Sequence, residues 1–370
     1  KQNRGFVIKS KIYFSVYTAC FTTKQQKENK QPKKENKQPK KENKQPKKEN
    51  KQPKKDDKQK SLPDPNNKPS LACASNKKNA FSSSRLYNKN ENKNFAWDLA
   101  GWFDAKGNIR WLYHKNLKSY SPILSIYFSL DNVPFVEKLK DFFSRKVSTV
   151  SMKNSYVLTI TTKADLKKFI LLTNGKLKTS KIFMLYILID WLNNSGYVTK
   201  NINQLPLNNN YLGHDAWLAG FIDLKGSFSI RKYRDTCRFR IELLKEPFDP
   251  ENITRKALEN IVNFLDGAAE PKVMQQNLKI KTQKCKGKEF YFIALCKKPS
   301  LYKLIKYLDR YPLYTKKYLD YNTWKEIVLW TPSKKKVYAE EFRTKVDFAR
   351  NSMNSKRTHF NWDHLKNLLP

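Results

Sequence analysis

Two nearly identical nine-residue peptides, LAGWFDAKG and LAGFIDLKG, contain the side chains of this chain whose types and spacing point to chemistry. Each peptide has a carboxylate at its sixth position, Asp104 or Asp223, and an ammonium at its eighth, Lys106 or Lys225. A carboxylate offers oxygen ligands to a divalent metal, whereas an ammonium attracts a phosphate and repels a metal. The repeated peptide therefore presents a metal-binding residue type and a phosphate-binding residue type two positions apart, in both copies.

The two peptides would meet if each formed a helix. The second and third residues of each copy are small, which lets two helix backbones approach closely; these residues are Ala100, Gly101, Ala219 and Gly220. We therefore expect a two-helix seam on a pseudo-twofold axis, with Lys106 and Lys225 near each other at its lower end. The same geometry predicts that Trp102, Phe103, Phe221 and Ile222 are buried in the flanking domains, and that Gly107 and Gly226 end the helices in left-handed turns.

The composition favours a polyanionic partner. The chain has 370 residues, 74 Lys and Arg against 33 Asp and Glu, and a formal net charge of +41. Nucleic acid is the first candidate partner and an anionic membrane surface the second. No apolar run is long enough to span a membrane. The five cysteines form no CxxC pair, so we expect free thiols in a reducing compartment rather than a zinc site or disulfides.

The chain divides into five segments. The repeat QPKKENK has a proline in every unit, which excludes a coiled coil and predicts a disordered Lys-rich arm. Two later blocks each have the pattern α-β-β-α-β-β-α, with strands that alternate apolar and polar or basic residues. The predicted segments are the arm at 1–94, a first domain at 95–195, a linker at 196–213, a second domain at 214–332 and a basic tail at 333–370. The predicted fold class is α+β, with two tandem pseudo-symmetric domains behind a disordered basic N-terminal arm.

Basic and aromatic residues in the strands and in the loops that follow them are the predicted contacts to nucleic acid. Arginine can form paired hydrogen bonds with guanine edges, whereas lysine mostly binds phosphate. The candidate binding residues are Arg110, Tyr113, Lys115, Arg231, Arg234, Arg238, Arg240, Lys279, Lys281, Lys316 and Lys317. Lys178 and Lys181, in the sequence KTSK of the first half, correspond to the lysines of YTKK in the second half.

The repeated peptide resembles the motif of the LAGLIDADG homing endonuclease and intron maturase family, in its form with two motifs in one chain. The resemblance runs from about Phe95 to Pro332. It includes NGKLKTSKIFMLYILIDWLN and YPLYTKKYLDYNTWKEIV, which look like the helices that close each repeat of the family. It implies two αββαββα domains whose sheets form a saddle over a nucleic-acid duplex, with the motif helices between the domains. It also implies a monomer with internal pseudo-twofold symmetry.

The eighth position of the motif departs from the family pattern. In active members this residue is Asp or Glu, and one carboxylate from each motif holds the divalent metals for cleavage. Lys106 and Lys225 cannot do so, so we expect no intact catalytic residue and no cofactor, with Mg²⁺ required only if the chain is an endonuclease. Asp104 and Asp223 lie two positions earlier, about 200° around a helix, and would need a local shift to form a metal site.

The resemblance leaves three functions open. The first is a cleavage-deficient maturase, encoded in an intron, that helps a group I intron RNA fold and splice. The second is an intron-encoded homing endonuclease that makes Mg²⁺-dependent double-strand cuts in DNA. The third is a structural RNA-binding component of an organellar ribosome. Family members are often encoded in organellar introns, and the heavy use of Lys, Asn, Tyr, Phe and Ile is typical of an AT-rich genome, so we expect a mitochondrial protein, with the chloroplast as the second candidate.

Overall fold

The computed structural model describes residues 89–144, 147–152, 155–232, 236–245, 249, 252–266, 280–285, 288–330 and 339–366. All of these residues belong to one compact unit that spans Tyr87–Pro370. Residues 1–88 of the predicted arm lie outside the described residues, as do candidate residues Arg234 and Lys279. Among the helices that are described, none is long and apolar enough to cross a membrane.

The first half begins with a long helix and ends with two helices that cover a sheet. Its elements are α1 (Lys89–Lys106), β1 (Gly107–His114), β2 (Ser119–Phe128), α2 (Val133–Phe143), β3 (Ser148–Met152), β4 (Ser155–Ile160), α3 (Lys163–Thr173) and α4 (Ile182–Asn194). Pro134 lies in the first turn of α2, where its missing N–H costs no helical hydrogen bond. Thr162 caps α3 by accepting a hydrogen bond from the Asp165 backbone amide at 3.1 Å.

The second half repeats this order and is followed by an additional helix. Its elements are α5 (Trp217–Lys225), β5 (Gly226–Ile230), β6 (Cys237–Leu244), α6 (Ile253–Asp266), β7 (Lys281–Cys285), β8 (Lys288–Leu295), α7 (Lys298–Arg310) and α8 (Lys317–Leu329). Helix α9 (Ala339–Asn351) follows in the segment predicted as a basic tail. The predicted α+β fold with two tandem repeats of the same element order is therefore confirmed.

Each half contains a four-stranded antiparallel sheet, with strand order β1-β2-β4-β3 in the first and β5-β6-β8-β7 in the second. The strands alternate between two faces because successive side chains point in opposite directions. In β6, Cys237, Phe239, Ile241 and Leu243 are buried against the helices, while the residues between them are half-buried on the other face. We call this second surface the open face of the sheet.

Helices α1 and α5 cross at the centre of the molecule. Every residue from Trp217 to Leu224 in α5 is buried, as expected for a helix that packs against other elements on all sides. A Cβ atom on Gly101 would lie 2.2 Å from the Trp217 carbonyl oxygen, and one on Gly220 would lie 2.3 Å from that of Asp98. The predicted seam therefore forms, and these two glycines allow its close approach.

Two local predictions were wrong. Helix α1 begins at Lys89, before the boundary placed at Phe95. Neither Gly107 nor Gly226 forms the predicted left-handed turn: Gly107 is the first residue of β1, and Gly226 has an extended backbone with φ −71° and ψ 153°. The glycines after the motif helices serve close packing: a Cβ atom on Gly107 would lie 2.1 Å from the Phe103 ring, and one on Gly226 would lie 2.7 Å from the Ile222 side chain.

Helix α9 and the segment after it pack back onto both halves. We call residues 339–366 the C-terminal extension. Val346, Ala349, Met353 and Leu365 of this segment are all buried. The side-chain amide of Asn354 donates a hydrogen bond to the Phe228 carbonyl at 3.0 Å, and the Lys138 ammonium donates to the Leu365 carbonyl. The predicted tail is therefore part of the folded unit over its described residues.

Candidate nucleic-acid interface

Lys106 and Lys225 end the two motif helices and are both half-buried. Burial lowers the pKa of Lys106. Its ammonium is also close enough to that of Lys317, from the second half, for the two charges to repel. Lys106, at the end of the first motif helix, therefore lies close to a lysine of the second half.

Asp104 is a structural acceptor in the core, 3% exposed. Its carboxylate accepts hydrogen bonds from the Lys178 backbone amide at 2.7 Å, the Thr179 hydroxyl at 2.5 Å and the Trp217 indole at 2.9 Å. Burial raises the pKa of Asp104, although these hydrogen bonds oppose the increase. Both oxygens therefore hold the loop that precedes α4 and one residue of α5.

Asp223 has the equivalent role in the second half. It accepts hydrogen bonds from the backbone amides of Tyr314 and Thr315 at 3.0 and 3.1 Å, from the Thr315 hydroxyl at 2.7 Å and from the Trp102 indole at 3.2 Å. Burial raises its pKa as well. The two carboxylates thus point into the core, away from the motif ends, as the 200° rotation predicted. Sequence reasoning missed their partners, although the threonines of KTSK and YTKK were a visible signal.

A further lysine contacts each motif end. The Lys181 ammonium donates to the carbonyls of Phe103 at 3.1 Å and Gly107 at 2.8 Å, and the Lys317 ammonium donates to the Gly226 carbonyl. A cation is stabilised there by the partial negative charge of a helix C-terminus. Burial lowers the pKa of Lys317 to about 8, and the like charge of Lys106 contributes to the decrease. We call Lys106, Lys181, Lys225 and Lys317 the lysine cluster.

The lysine cluster does not fit a divalent cation. Ammonium groups have no lone pair to donate, and both carboxylates near the motif ends are used by core hydrogen bonds. Across the described ranges there is no group of three His, Cys, Asp or Glu residues that could hold a metal. The donor set suits an anion with several oxygens, such as a phosphate.

The open face of the second sheet has two arginines, which are neighbours on that face and lie two positions apart in β6. Arg238 pairs with Ser229 and Arg240 with Ser227 across β5 and β6. The Arg240 guanidinium lies 4.3 Å from the centre of the Phe292 ring and forms an ion pair with Glu242. The Nε atom of Arg238 is buried and has no hydrogen-bond partner within the described residues.

The open face of the first sheet differs from the prediction. Arg110 is exposed on it, but Tyr113 lies on the opposite face because the register of β1 and β2 is regular and the two residues are three positions apart. Tyr113 instead packs beside Tyr120, with ring centres 4.9 Å apart, on the side where Trp111 meets Trp191 of α4. The sequence analysis therefore placed Tyr113 on the wrong face, because Arg110 is at an even position of β1 and Tyr113 is at an odd one. Lys115 follows β1 in the turn and is exposed.

The remaining candidates lie in loops or at strand ends. Arg231 is exposed after β5, and Lys281 is the first residue of β7, opposite Phe292. Lys316 forms an ion pair with Asp131 of the first half. Lys178 is 5% exposed, and its ammonium lies 3.6 Å from an Asp215 carboxylate oxygen, so it cannot face a ligand as its match to YTKK suggested.

Comparison with known proteins supports the family resemblance. Residues 218–328 match the family model described as LAGLIDADG endonuclease. The second half of the chain is therefore similar to a LAGLIDADG endonuclease domain. The chain is 23% identical over 301 residues to the intron-encoded DNA endonuclease aI3 of Saccharomyces cerevisiae, covering 73% of this chain and 72% of the relative.

Solved structures of LAGLIDADG enzymes share the fold. The homing endonuclease I-GzeII, crystallised with its DNA target, matches with a TM-score of 0.52 and 17% identity, over 71% of this chain and 99% of the enzyme. The meganuclease I-SmaMI, bound to uncleavable DNA, matches with a TM-score of 0.50 and 18% identity, over 71% of this chain and 97% of the enzyme. The LAGLIDADG architecture thus covers both halves, beyond the residues that the family model matches.

Proposed function

We propose that this protein binds nucleic acid without metal-dependent cleavage and acts as an intron-encoded maturase that assists the splicing of a group I intron RNA. The observation that carries the proposal is the chemistry of the two motif ends. Lysine occupies the eighth position of both motifs, while Asp104 and Asp223 are committed to hydrogen bonds in the core. A scaffold of this kind keeps its binding surfaces and loses the ligands for the metal.

Phosphate is the ligand that the lysine cluster suits best. A unit charge pair 4 Å apart contributes roughly 4 kcal/mol before desolvation at an effective dielectric constant near 20. Lys106 is already half-buried, so part of its desolvation cost is met on folding. We infer that Lys106 and Lys225 contact backbone phosphates at the position where active relatives hold metals.

The open face of the second sheet supplies the second part of the proposed interface. Arg238 and Arg240 lie two positions apart on the same face of β6, and arginine side chains can donate hydrogen bonds to phosphate oxygens and base edges. Arg110, Lys115 and Arg231 are exposed and extend the positive surface. Because both repeats are in one chain, we propose a monomer that binds one nucleic acid along both sheets.

The intron and the organelle are part of the same proposal. The relative aI3 is named as intron-encoded, and the amino-acid usage of this chain is typical of an AT-rich genome. We therefore propose a mitochondrial origin and an RNA substrate that contains the host intron.

Splicing of that RNA tests the proposal. Precursor RNA that contains the host intron is incubated at a Mg²⁺ concentration too low for efficient self-splicing, with and without protein. We expect the protein to increase the splicing rate, and expect an Arg238→Ala, Arg240→Ala double variant to lose most of the increase. Arg255→Ala is the matched control, because Arg255 is exposed on α6 and pairs with Glu259 of the same helix. An unchanged splicing rate with the unaltered protein would contradict the maturase assignment.

A DNA endonuclease is the second candidate, because aI3 is named as one. The test selects bound sites from a random DNA library and incubates them with Mg²⁺ or Mn²⁺. We expect intact DNA. A site-specific cut that disappears in the Asp104→Asn, Asp223→Asn variant would favour the endonuclease, provided that this variant is shown to be folded.

A further inference from the structure

Four aromatic rings form a stack at the end of the C-terminal extension. Phe360, Trp362 and His364 alternate along the chain, and Tyr318 of α8 lies beneath them. The ring centres are 6.4 Å apart from Phe360 to Trp362, 5.7 Å from Trp362 to His364 and 4.3 Å from His364 to Tyr318, with interplanar angles of 14°, 26° and 19°. We call these four residues the aromatic ladder.

The inner end of the aromatic ladder is held by the fold. His364 donates its Nε2 proton to the Tyr314 carbonyl at 3.1 Å. Leu365 is 2% exposed, its backbone amide donates to the Trp362 carbonyl at 2.9 Å, and its own carbonyl accepts a hydrogen bond from Lys138 of α2. Burial lowers the pKa of His364, so its ring is neutral near pH 7 and stacks as a flat uncharged surface.

The outer end of the aromatic ladder is open to solvent. Phe360 is 36% exposed, and His359 and Asn361 on either side of it are exposed as well. The packing of the extension does not depend on the Phe360 ring, because Leu365 and the buried residues of α9 already anchor the extension. The arrangement fixes a row of nearly parallel rings and leaves the last one available.

The surroundings of Phe360 fit a nucleic acid better than a protein partner. Lys356 and Lys366 are exposed, whereas Arg357 forms an ion pair with the buried Asp320. Lys366 pairs with Asp363 at the surface, an interaction that a phosphate can replace. Phe360 is a single ring that is 36% exposed, whereas a stable protein interface buries about 800 Å² per partner. Base stacking on aromatic rings needs only one ring face and tolerates any base.

We propose that the aromatic ladder is a stacking site for an unpaired base in a single-stranded segment of nucleic acid. The inference rests on the proposed function and adds to it a second contact, outside the sheets and the lysine cluster. A protein that binds a folded intron RNA would use this site for a loop or a strand end next to the duplex that the sheets hold.

Binding of labelled oligonucleotides to the full chain tests the site. The probes are a single strand of about 12 nucleotides, as RNA and as DNA, and a duplex of the same sequence, all at one salt concentration. We expect Phe360→Ala and Trp362→Ala to weaken single-strand binding by about 5- to 100-fold and duplex binding by less than twofold. Phe348→Ala is the matched control, because Phe348 is 72% exposed on α9 and is not part of the ladder; we expect no effect from it.

Two further measurements separate stacking from other causes. Trp362→Phe keeps a flat ring and should retain most of the affinity, which guards against the possibility that Trp362→Ala unfolds. The slope of log affinity against log salt should be unchanged in the ladder variants, because no phosphate contact is removed. Single-strand affinities of Phe360→Ala equal to those of Phe348→Ala would overturn the proposal. Duplex binding without single-strand binding would overturn the ladder and leave the proposed function standing, whereas an unaltered protein that binds neither probe would overturn both.

Discussion

Alanine at the seam glycines should destabilise the protein strongly. A Cβ atom on Gly101 would lie 2.2 Å from the Trp217 carbonyl oxygen, whereas ordinary contact begins at 3.4 Å. The helices would have to separate by roughly 1.2 Å, and a gap of this size forfeits a quarter to a half of the dispersion energy between the facing atoms. The obstacle is backbone, so no rotamer change can relieve it.

The sign of the change in the free energy of unfolding is informative, because alanine by itself stabilises a helix relative to glycine. Replacing glycine with alanine in a helix gains about 1 kcal/mol in the absence of a clash. Overpacking at a rigid site costs about 3 kcal/mol. We therefore expect Gly101→Ala or Gly220→Ala to lower the free energy of unfolding by about 2 kcal/mol or more. The double variant should lose less than the sum of the single variants, because one separation of the helices relieves both clashes.

Urea denaturation followed by circular dichroism measures these effects. Gly196→Ala is the control: nothing lies within 4 Å of its would-be Cβ atom, but its φ of 69° predicts a loss of about 1 kcal/mol from backbone strain. Unchanged or increased stability of both seam variants would refute the close helix contact.

Three further predictions concern the site. The free energy of unfolding of the unaltered protein should rise between pH 8 and 10.5, because the pKa of Lys317 is about 8 in the folded chain and 10.5 for an ordinary lysine, so that the unfolded chain binds more protons in this range. Lys317→Met should abolish this rise. Lys106→Met should move its start to higher pH, because it removes a like charge near Lys317. Asp223→Asn should cost about 3 kcal/mol in urea denaturation, because its amide would face N–H donors; near-normal stability would contradict the structural role. Arg240→Ala should weaken duplex or RNA binding by about 5- to 100-fold in an anisotropy titration, with Arg255→Ala unchanged, and equal affinities would remove the second sheet from the interface.

The repeat of a nine-residue peptide made the architecture predictable. Small residues at Gly101 and Gly220, and the alternation of apolar and basic residues in β6, indicated the seam and the sheet faces directly. Tyr113 was misplaced because an odd and an even position cannot share a face in a regular strand. Sequence periodicity predicts that side chains alternate between the two faces of a strand. It does not show which polar residue at the end of a strand lies on the open face of the sheet.

Long-range partners could not be read from the sequence. Lys178 looks like any other lysine in a basic loop, yet it is buried beside Asp215, which is 37 positions further along the chain (215 − 178). The role of Asp104 depends on Thr179 and Trp217, which come together only in the folded chain. The C-terminal extension was predicted only as part of a basic tail, and only the fold shows that Leu365 is buried.

The most direct test of the account measures nucleic-acid binding by the Lys106→Ala, Lys225→Ala double variant, in EDTA and in Mg²⁺, at fixed salt. The account predicts that the unaltered protein binds equally well in both buffers. It also predicts that the double variant binds about tenfold more weakly, with a salt slope smaller by about two. Equal affinities of the two proteins, or strand cleavage that requires the divalent ion, would contradict the claim that two lysines have replaced the metal ligands.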